Sequence, residues 1–406
     1  MSLDIFIILC YMSSILNNVL KTYSWGYLMK IFEWSPIEYV SMISRDREVE
    51  YNFASGSPDP SLIPVKEFEK IFQEVIEEYG YRAFLYPGAG GSSELVRNID
   101  KYYLDKIGVS LRSDEEIVIV SGAQHGIKIL SQILVEKGDI VIVENPTFWE
   151  GVYPIRFHGA SLRGVSIDEE GLDTYYLEKI LREGLKPRFI YLNPTCHNPT
   201  GYVMSIDRRR HLLEIAERYD LFVVEDDPYR PVSKDPPPSL KSMDRSGRVI
   251  YIGSMSKIFA PGLRIGFVIT NKDLAEKIKI LEQHDFSTST FLQLAMSKAL
   301  EKNITEALMK RCSEHYDMKR KILLEALERY FPGRYTRPVC GFFNLIYVDK
   351  DPERYVEKAI ERRLLYVPAT RFFVENPVYS IRIGIGLISS EKIFDGIKVL
   401  REIFEE

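Results

Sequence analysis

The stretch "VIYIGSMSKIFAPGLRIGFVIT" (Val249–Thr270) sets two apolar, β-branched runs on either side of one lysine. The first run ends at Ser254, and the second begins after the Pro-Gly break at 261–262. Continuously apolar runs of this length read as strands buried on both faces. Lys257 lies between the hydroxyls of Ser254 and Ser256, and Arg264 follows seven positions later. A lone lysine at a strand end is usually a solvated surface charge. Hydroxyls and an arginine gathered around it ask for another reading, which the rest of the chain has to supply.

Working outward, the same texture repeats. "EIVIVSG", "DIVIVENP", "FIYLNP" and "LFVVEDD" are short apolar runs ending in polar or glycine-rich turns. Between several of them lie stretches of helical spacing, such as "GIKILSQILVEKG", "TYYLEKILREG" and "DRRRHLLEIAERYD". Buried strands alternating with helices predict an α/β fold: a large domain with a mostly parallel central sheet flanked by helices. In such sheets ligands sit at the carboxyl ends of the strands. After about residue 300 a long helical stretch leads into "GFFNLIYVD", "PERYVEKAIERRL" and "YSIRIGIG", which reads as a smaller α+β unit. The predicted division is an N-terminal segment over 1–64 contributing to the small domain, a large domain over 65–305, and a small C-terminal domain over 306–406.

Composition narrows the partners. The chain has 406 residues, 45% hydrophobic, with a net charge of -5 and no basic block. Nucleic acid is therefore not expected, because a duplex binder gathers its cations on one face. Cys10, Cys196, Cys312 and Cys340 form no CxxC, so neither a zinc site nor a disulfide framework is expected, and a reducing cytoplasm fits. The histidines show no ligand spacing, so no metal is expected. The apolar run Ile5–Met12 is far short of the ~20 residues of a membrane span. It follows Asp4 rather than a basic start, unlike a signal peptide. It predicts an amphipathic helix packed on the body or on a partner.

The turns carry the chemistry. Gly122, Ala123 and Gln124 in "VSGAQHG" precede a helix, where backbone N–H groups make either a phosphate cradle or a plain strand-to-helix turn. "NPTFWEG" offers Phe148 and Trp149, either core or a stacking platform. "NPTCHNPTG" carries Asn198 before a glycine stop, and a structural turn explains either half of it. "VVEDDPY" ends an apolar strand in three acids and Tyr229, a costly arrangement unless a positive group waits there.

Taken in order, SGAQ, PTF, NPTG, DDPY, SMSK and GLRIG resemble the fold type I, pyridoxal-phosphate-dependent aminotransferases of class I/II. The likeness is greatest to the 2-aminoadipate and kynurenine aminotransferase branch, and it runs from about residue 50 to 390. The resemblance implies pyridoxal 5′-phosphate as cofactor. Lys257 would carry it as an imine and later move the proton between Cα and C4′. Asp226 would face the pyridine nitrogen and keep it protonated. Tyr229 and Asn198 would bond the phenolic oxygen, and Phe148 would stack on the ring. Gly122, Ala123, Gln124, Ser254, Ser256 and Arg264 would hold the phosphate. Ala123 stands where the family often has serine, so one hydroxyl donor is lost.

Further matches lie outside that sheet. Arg382 in "IRIGIG" would grip the substrate α-carboxylate, with Gly56 and Asn198 beside it. Tyr86 in "FLYPGAGG" would reach the phosphate of a neighbouring subunit, and "FSTST" (Phe286–Thr290) would also reach across. The expected assembly is thus a homodimer with shared sites and no membrane partner.

The implied reaction moves an amino group between an L-amino acid and a 2-oxo acid, 2-oxoglutarate, by a ping-pong route. The N-terminal segment, with Tyr23, Trp25, Tyr27, Phe32 and Trp34, would wall the substrate entrance and favour aromatic donors or 2-aminoadipate. Ser57 would widen that entrance. Arg45 and Arg47 are the nearest cations in sequence for a distal carboxylate. Rival readings are a carbon–sulfur lyase or decarboxylase on the same fold, or a ligand sensor of the kind fused to winged-helix modules. The short apolar stretch before "FASGSPDP" speaks against the sensor.

Overall fold

In the computed structural model, residues 33–285 and 288–405 are described. The helix expected over Ile5–Met12, the aromatics Tyr23 to Phe32, and Phe286 of "FSTST" lie outside the described residues. In chain order the strands are β1 (Tyr51–Asn52), β2 (Glu115–Val120), β3 (Ile140–Asn145), β4 (Ser161–Asp168), β5 (Gly171–Leu172), β6 (Phe189–Leu192) and β7 (Phe222–Asp226). They continue with β8 (Val249–Ser254), β9 (Gly266–Asn271), β10 (Phe343–Tyr347), β11 (Leu364–Leu365), β12 (Val367–Pro368) and β13 (Ser380–Gly384).

The large sheet runs β2-β9-β8-β7-β6-β3-β4-β5. From β8 to β4 all neighbours are parallel. β9 is antiparallel to both of its neighbours, which brings the runs flanking Lys257 side by side. Helices cover both faces, and this is why the strands are apolar without alternation. Val118 and Val120 of β2 pack into one core cluster, while Ile117 and Ile119 pack into another. β4 was not among the expected strands. Ser161, Arg163 and Gly164 interrupt its apolar pattern, and Ser161, Ser166 and Asp168 reach solvent.

The smaller sheet has the order β10-β13-β12, all antiparallel. β1 pairs with β11 in parallel and ties the segment before residue 64 to this C-terminal part. The long helix Ile304–Tyr330 packs along the closing helix Ser390–Glu405. Arg382 sits mid-strand on β13, opposite Leu345 of β10 and Val367 of β12.

One expectation is overturned. Cys196, in the loop after β6, forms a disulfide with Cys340, just before β10. The two are 144 residues apart, so their pairing is a product of the tertiary fold and leaves no trace in spacing. The cytoplasmic expectation loses that premise. Cys312 is buried and free. Among the described residues no helix is long and apolar enough to cross a membrane.

Candidate active site

β8 delivers Ser254, and the chain then turns through Ser256 and Lys257. The Lys257 Nζ donates to the Gly56 carbonyl at 2.7 Å. Lys257, Gly56, Phe148, Asn198, Tyr229 and Arg382 all line one cavity of about 500 Å³. Six positions scattered over more than 300 residues of sequence thus meet. Burial pushes the Lys257 ammonium down to about 8; Arg382 and Arg264 push the same way and Asp226 opposes them.

Asp226 closes β7, and the register sets it opposite Ile252 of β8, two residues before Ser254. Tyr191 Oη donates to Asp226 Oδ2 at 2.7 Å, while Oδ1 is buried without a partner. Burial raises the Asp226 carboxyl to about 7; Tyr191 and Lys257 hold it down and Asp227 adds to the rise. Asp227 faces elsewhere, in a buried ion pair with Arg230. Asp227 Oδ1 is likewise buried without a hydrogen-bond partner, but of the two acids only Asp226 acts on Lys257. Tyr229 is buried edge-on against Phe342 and Phe343, with ring centroids 5.5 and 5.7 Å away.

A second cavity opens at the helix Ala123–Leu134, lined by Ser121, Gln124 and Arg264 among others. Intrahelical bonds begin with His125 and Gly126 donating to the Gly122 carbonyl, which leaves the N–H groups of Ala123 and Gln124 ahead of them. Gly122 has φ +81°, and a Cβ there would fall 2.3 Å from Arg264 Nη2. Arg264 Nη2 donates to the Ser121 carbonyl at 3.0 Å, and the Ser256 N–H donates to Ser254 Oγ at 3.2 Å. On the other side, Arg382 Nη2 donates to the Ala54 carbonyl at 2.5 Å, and its Nε has no partner. Its guanidinium lies 4.5 Å over the Phe343 ring. Burial lowers it to about 10, against the pull of Glu150 and Tyr229.

Tyr86 is not part of this cavity. It is 81% exposed and lines a separate hollow with Thr288 and Thr290. Arg45 and Arg47 are exposed and do not line the cavity, whereas Ser57 does. Trp34 borders a different pocket. Tyr191 and Glu150 are among the site residues that escaped the sequence reading. Tyr191 looks like core inside an apolar strand, and Glu150 looks like an ordinary acid in a helix's first turn.

Residues 50–398 match the family described as aminotransferase class I and II. The chain belongs to the class I and II aminotransferases. It is 32% identical to an aromatic-amino-acid aminotransferase of Thermococcus litoralis over 87% of this chain and 88% of that one. The solved Pyrococcus horikoshii kynurenine aminotransferase superposes with a TM-score of 0.88 at 30% identity, covering 96% of this chain and 98% of its own. LysN of Thermus thermophilus, an α-aminoadipate aminotransferase solved with N-(5′-phosphopyridoxyl)-L-leucine, gives 0.83 at 28% identity over 92% and 95% of the two chains.

The cofactor of this aminotransferase is pyridoxal 5′-phosphate. The residues present fit it. Asp226 Oδ1 and Asn198 Oδ1 are buried acceptors without partners, suited to a protonated ring nitrogen and a hydroxyl. The Gly122 turn keeps the space beside Arg264 clear, at the N-terminal end of a helix.

Proposed function

We propose that this aminotransferase moves an amino group from an L-amino acid with an aromatic or long side chain, 2-aminoadipate included, to 2-oxoglutarate. Two half-reactions would share one site in ping-pong order. The observation that carries this reading is the meeting of Lys257 and Arg382 in one cavity, with the Asp226 carboxylate, one oxygen of it unpartnered, acting on Lys257.

When bound, pyridoxal phosphate supplies a sink for the electron pair left on the substrate Cα. Lys257 Nζ would hold the cofactor and, as a neutral amine, would move the proton at the substrate Cα. Asp226 Oδ1 takes a hydrogen bond from the ring nitrogen and holds its positive charge. Tyr229 and Asn198 bond the phenolic oxygen, and Phe148 stacks on the ring face. Gly122, Ala123 and Gln124 cradle the phosphate with backbone N–H groups. Ser254, Ser256 and Arg264 add hydroxyls and a guanidinium. Arg382 pairs with the α-carboxylate and, with Gly56 and Asn198 beside it, orients the Cα–H bond. A carboxylate held this way stays on the product, which speaks against α-decarboxylation.

The assembly we propose is a homodimer. Tyr86, exposed and outside the Lys257 cavity of its own subunit, serves the phosphate of the second subunit. Half-reactions test the activity. Holoenzyme mixed with an amino acid alone should lose its pyridoxal absorbance and release the matching 2-oxo acid, and 2-oxoglutarate should restore the spectrum. Carbon dioxide or sulfide release instead would contradict the reading.

A further inference from the structure

Glu150 stands two residues after Phe148, in the first turn of the helix Trp149–Phe157, and lines the same cavity as Lys257 and Arg382. Both of its carboxylate oxygens are buried, and neither has a hydrogen-bond partner. The Ser35 hydroxyl and the Glu150 N–H ease its charge, and Arg382 acts on it without forming an ion pair. Burial pushes the carboxyl up and Glu38 adds to that; Ser35 and Arg382 oppose. Glu38 lines the cavity too, from the helix Pro36–Ile43. Against these two acids the described lining has two cations, Lys257 and Arg382. Both are committed in the reaction proposed above, one to the cofactor and one to the α-carboxylate. A buried carboxylate without a partner is costly, and a ligand group that completes it removes the cost.

We propose that Glu150 is a specificity residue that selects amino donors whose side chain ends in a protonated amine. Its carboxylate receives the ammonium in a charge-assisted hydrogen bond, and Glu38 adds a favourable field. The inference rests on the aminotransferase reading and, within the donor range given there, moves the preference away from diacids. The hydroxyls of Ser41 and Ser57 in the same lining are neutral donors for the distal carboxylate of the 2-oxo acid.

Lysine, norleucine and 2-aminoadipate have side chains of similar reach that end in a cation, a methyl group and an anion. Their kcat/KM values with 2-oxoglutarate test the proposal. The wild type should favour lysine over 2-aminoadipate by at least about tenfold, with norleucine between. Glu150→Gln should lower the lysine-to-norleucine ratio by about tenfold, and Glu150→Asp should keep the order. Ratios within one variant cancel general damage, so a purely structural role for Glu150 would shift the melting temperature and leave the ratio intact. That result, or a wild type that prefers norleucine or 2-aminoadipate to lysine, overturns the proposal, and the wild-type ranking decides even if a variant fails to fold. An enzyme that converts norleucine but not lysine sinks this inference alone. One that converts no amino acid in a full panel sinks the aminotransferase reading with it.

Discussion

Burial, then Arg382 and Arg264, disfavour the charged form of Lys257 and bring it to about 8. The direction fixes a pH dependence. A lysine with a lowered pKa loses its proton as pH rises through that value, and only the neutral amine attacks an aldehyde. The rate of pyridoxal-phosphate attachment to the cofactor-free protein should therefore rise with a midpoint near 8. Asp226→Asn should move the midpoint lower, because Asp226 favours the ammonium. A midpoint unchanged from free lysine would contradict this. At Asp226 the hydrogen bond from Tyr191 is worth about 1.5–3 kcal/mol, since its acceptor is charged. Tyr191→Phe should then lower kcat by about tenfold to a hundredfold, and Asp226→Ala should lower it much further. Asp227→Ala strands the buried Arg230, so its damage should appear in the melting temperature before it appears in kcat per folded molecule. Equal catalytic loss from the two alanine variants would count against the register. The nearness of Asp226 to Tyr229 was legible, because the two share the DDPY turn. Tyr191 was not, because its partner comes from another strand.

At the scale of elements, close approach depends on two glycines. A Cβ on Gly151 would lie 2.1 Å from Tyr191 Oη, so the helix Trp149–Phe157 sits against β6 only because that residue has none. Gly151→Ala should displace the Tyr191 hydroxyl and reproduce the kcat loss of Tyr191→Phe in the same steady-state assay. Wild-type kcat in Gly151→Ala would show that Tyr191 has room to spare. At Gly122 both the positive φ and the guanidinium of Arg264 resist a side chain, so Gly122→Ala should weaken cofactor binding, measured by equilibrium dialysis. The strands flanking Lys257, and most of the helices, were legible because each has its own period and its own stop. The apolar spacing of "VKEFEKIFQEVIEEYG" predicts a helix closed by its glycine, and the helix is Val65–Tyr79, capped at Gly80. β4 was missed because its apolar pattern is interrupted. The hydroxyl start and apolar spacing of "SSELVRNIDKYYLDKIG" predict one helix, yet it is α-helical only over Ser93–Ile99 and then loosens into a π-turn and a 3₁₀ turn.

For the whole molecule, the disulfide joins the loop that carries Asn198 to the turn that carries Phe342 and leads into β10. Closing so long a loop restricts the unfolded chain, and Cys340→Ser should cost about 2–5 kcal/mol. Denaturant unfolding with and without reductant reads this, and an unchanged midpoint in both comparisons would mean the bridge is not formed in solution. The homodimer has its own test: Tyr86→Phe and Lys257→Ala subunits, each weak or inactive alone, should recover about a quarter of wild-type activity when mixed, because each hybrid holds one intact site. A fully active monomer in sedimentation would end the shared-site proposal. Sequence could indicate such a site but not place Glu150 in it, because a cavity is a property of the assembled fold. Lys257, just past β8 of the large sheet, is the residue on which the proposed site depends. Reducing the holoenzyme with borohydride, digesting it and mapping the phosphopyridoxyl label by mass tests it most directly. The label should fall on Lys257 alone; a label on any other lysine, or none, would contradict it.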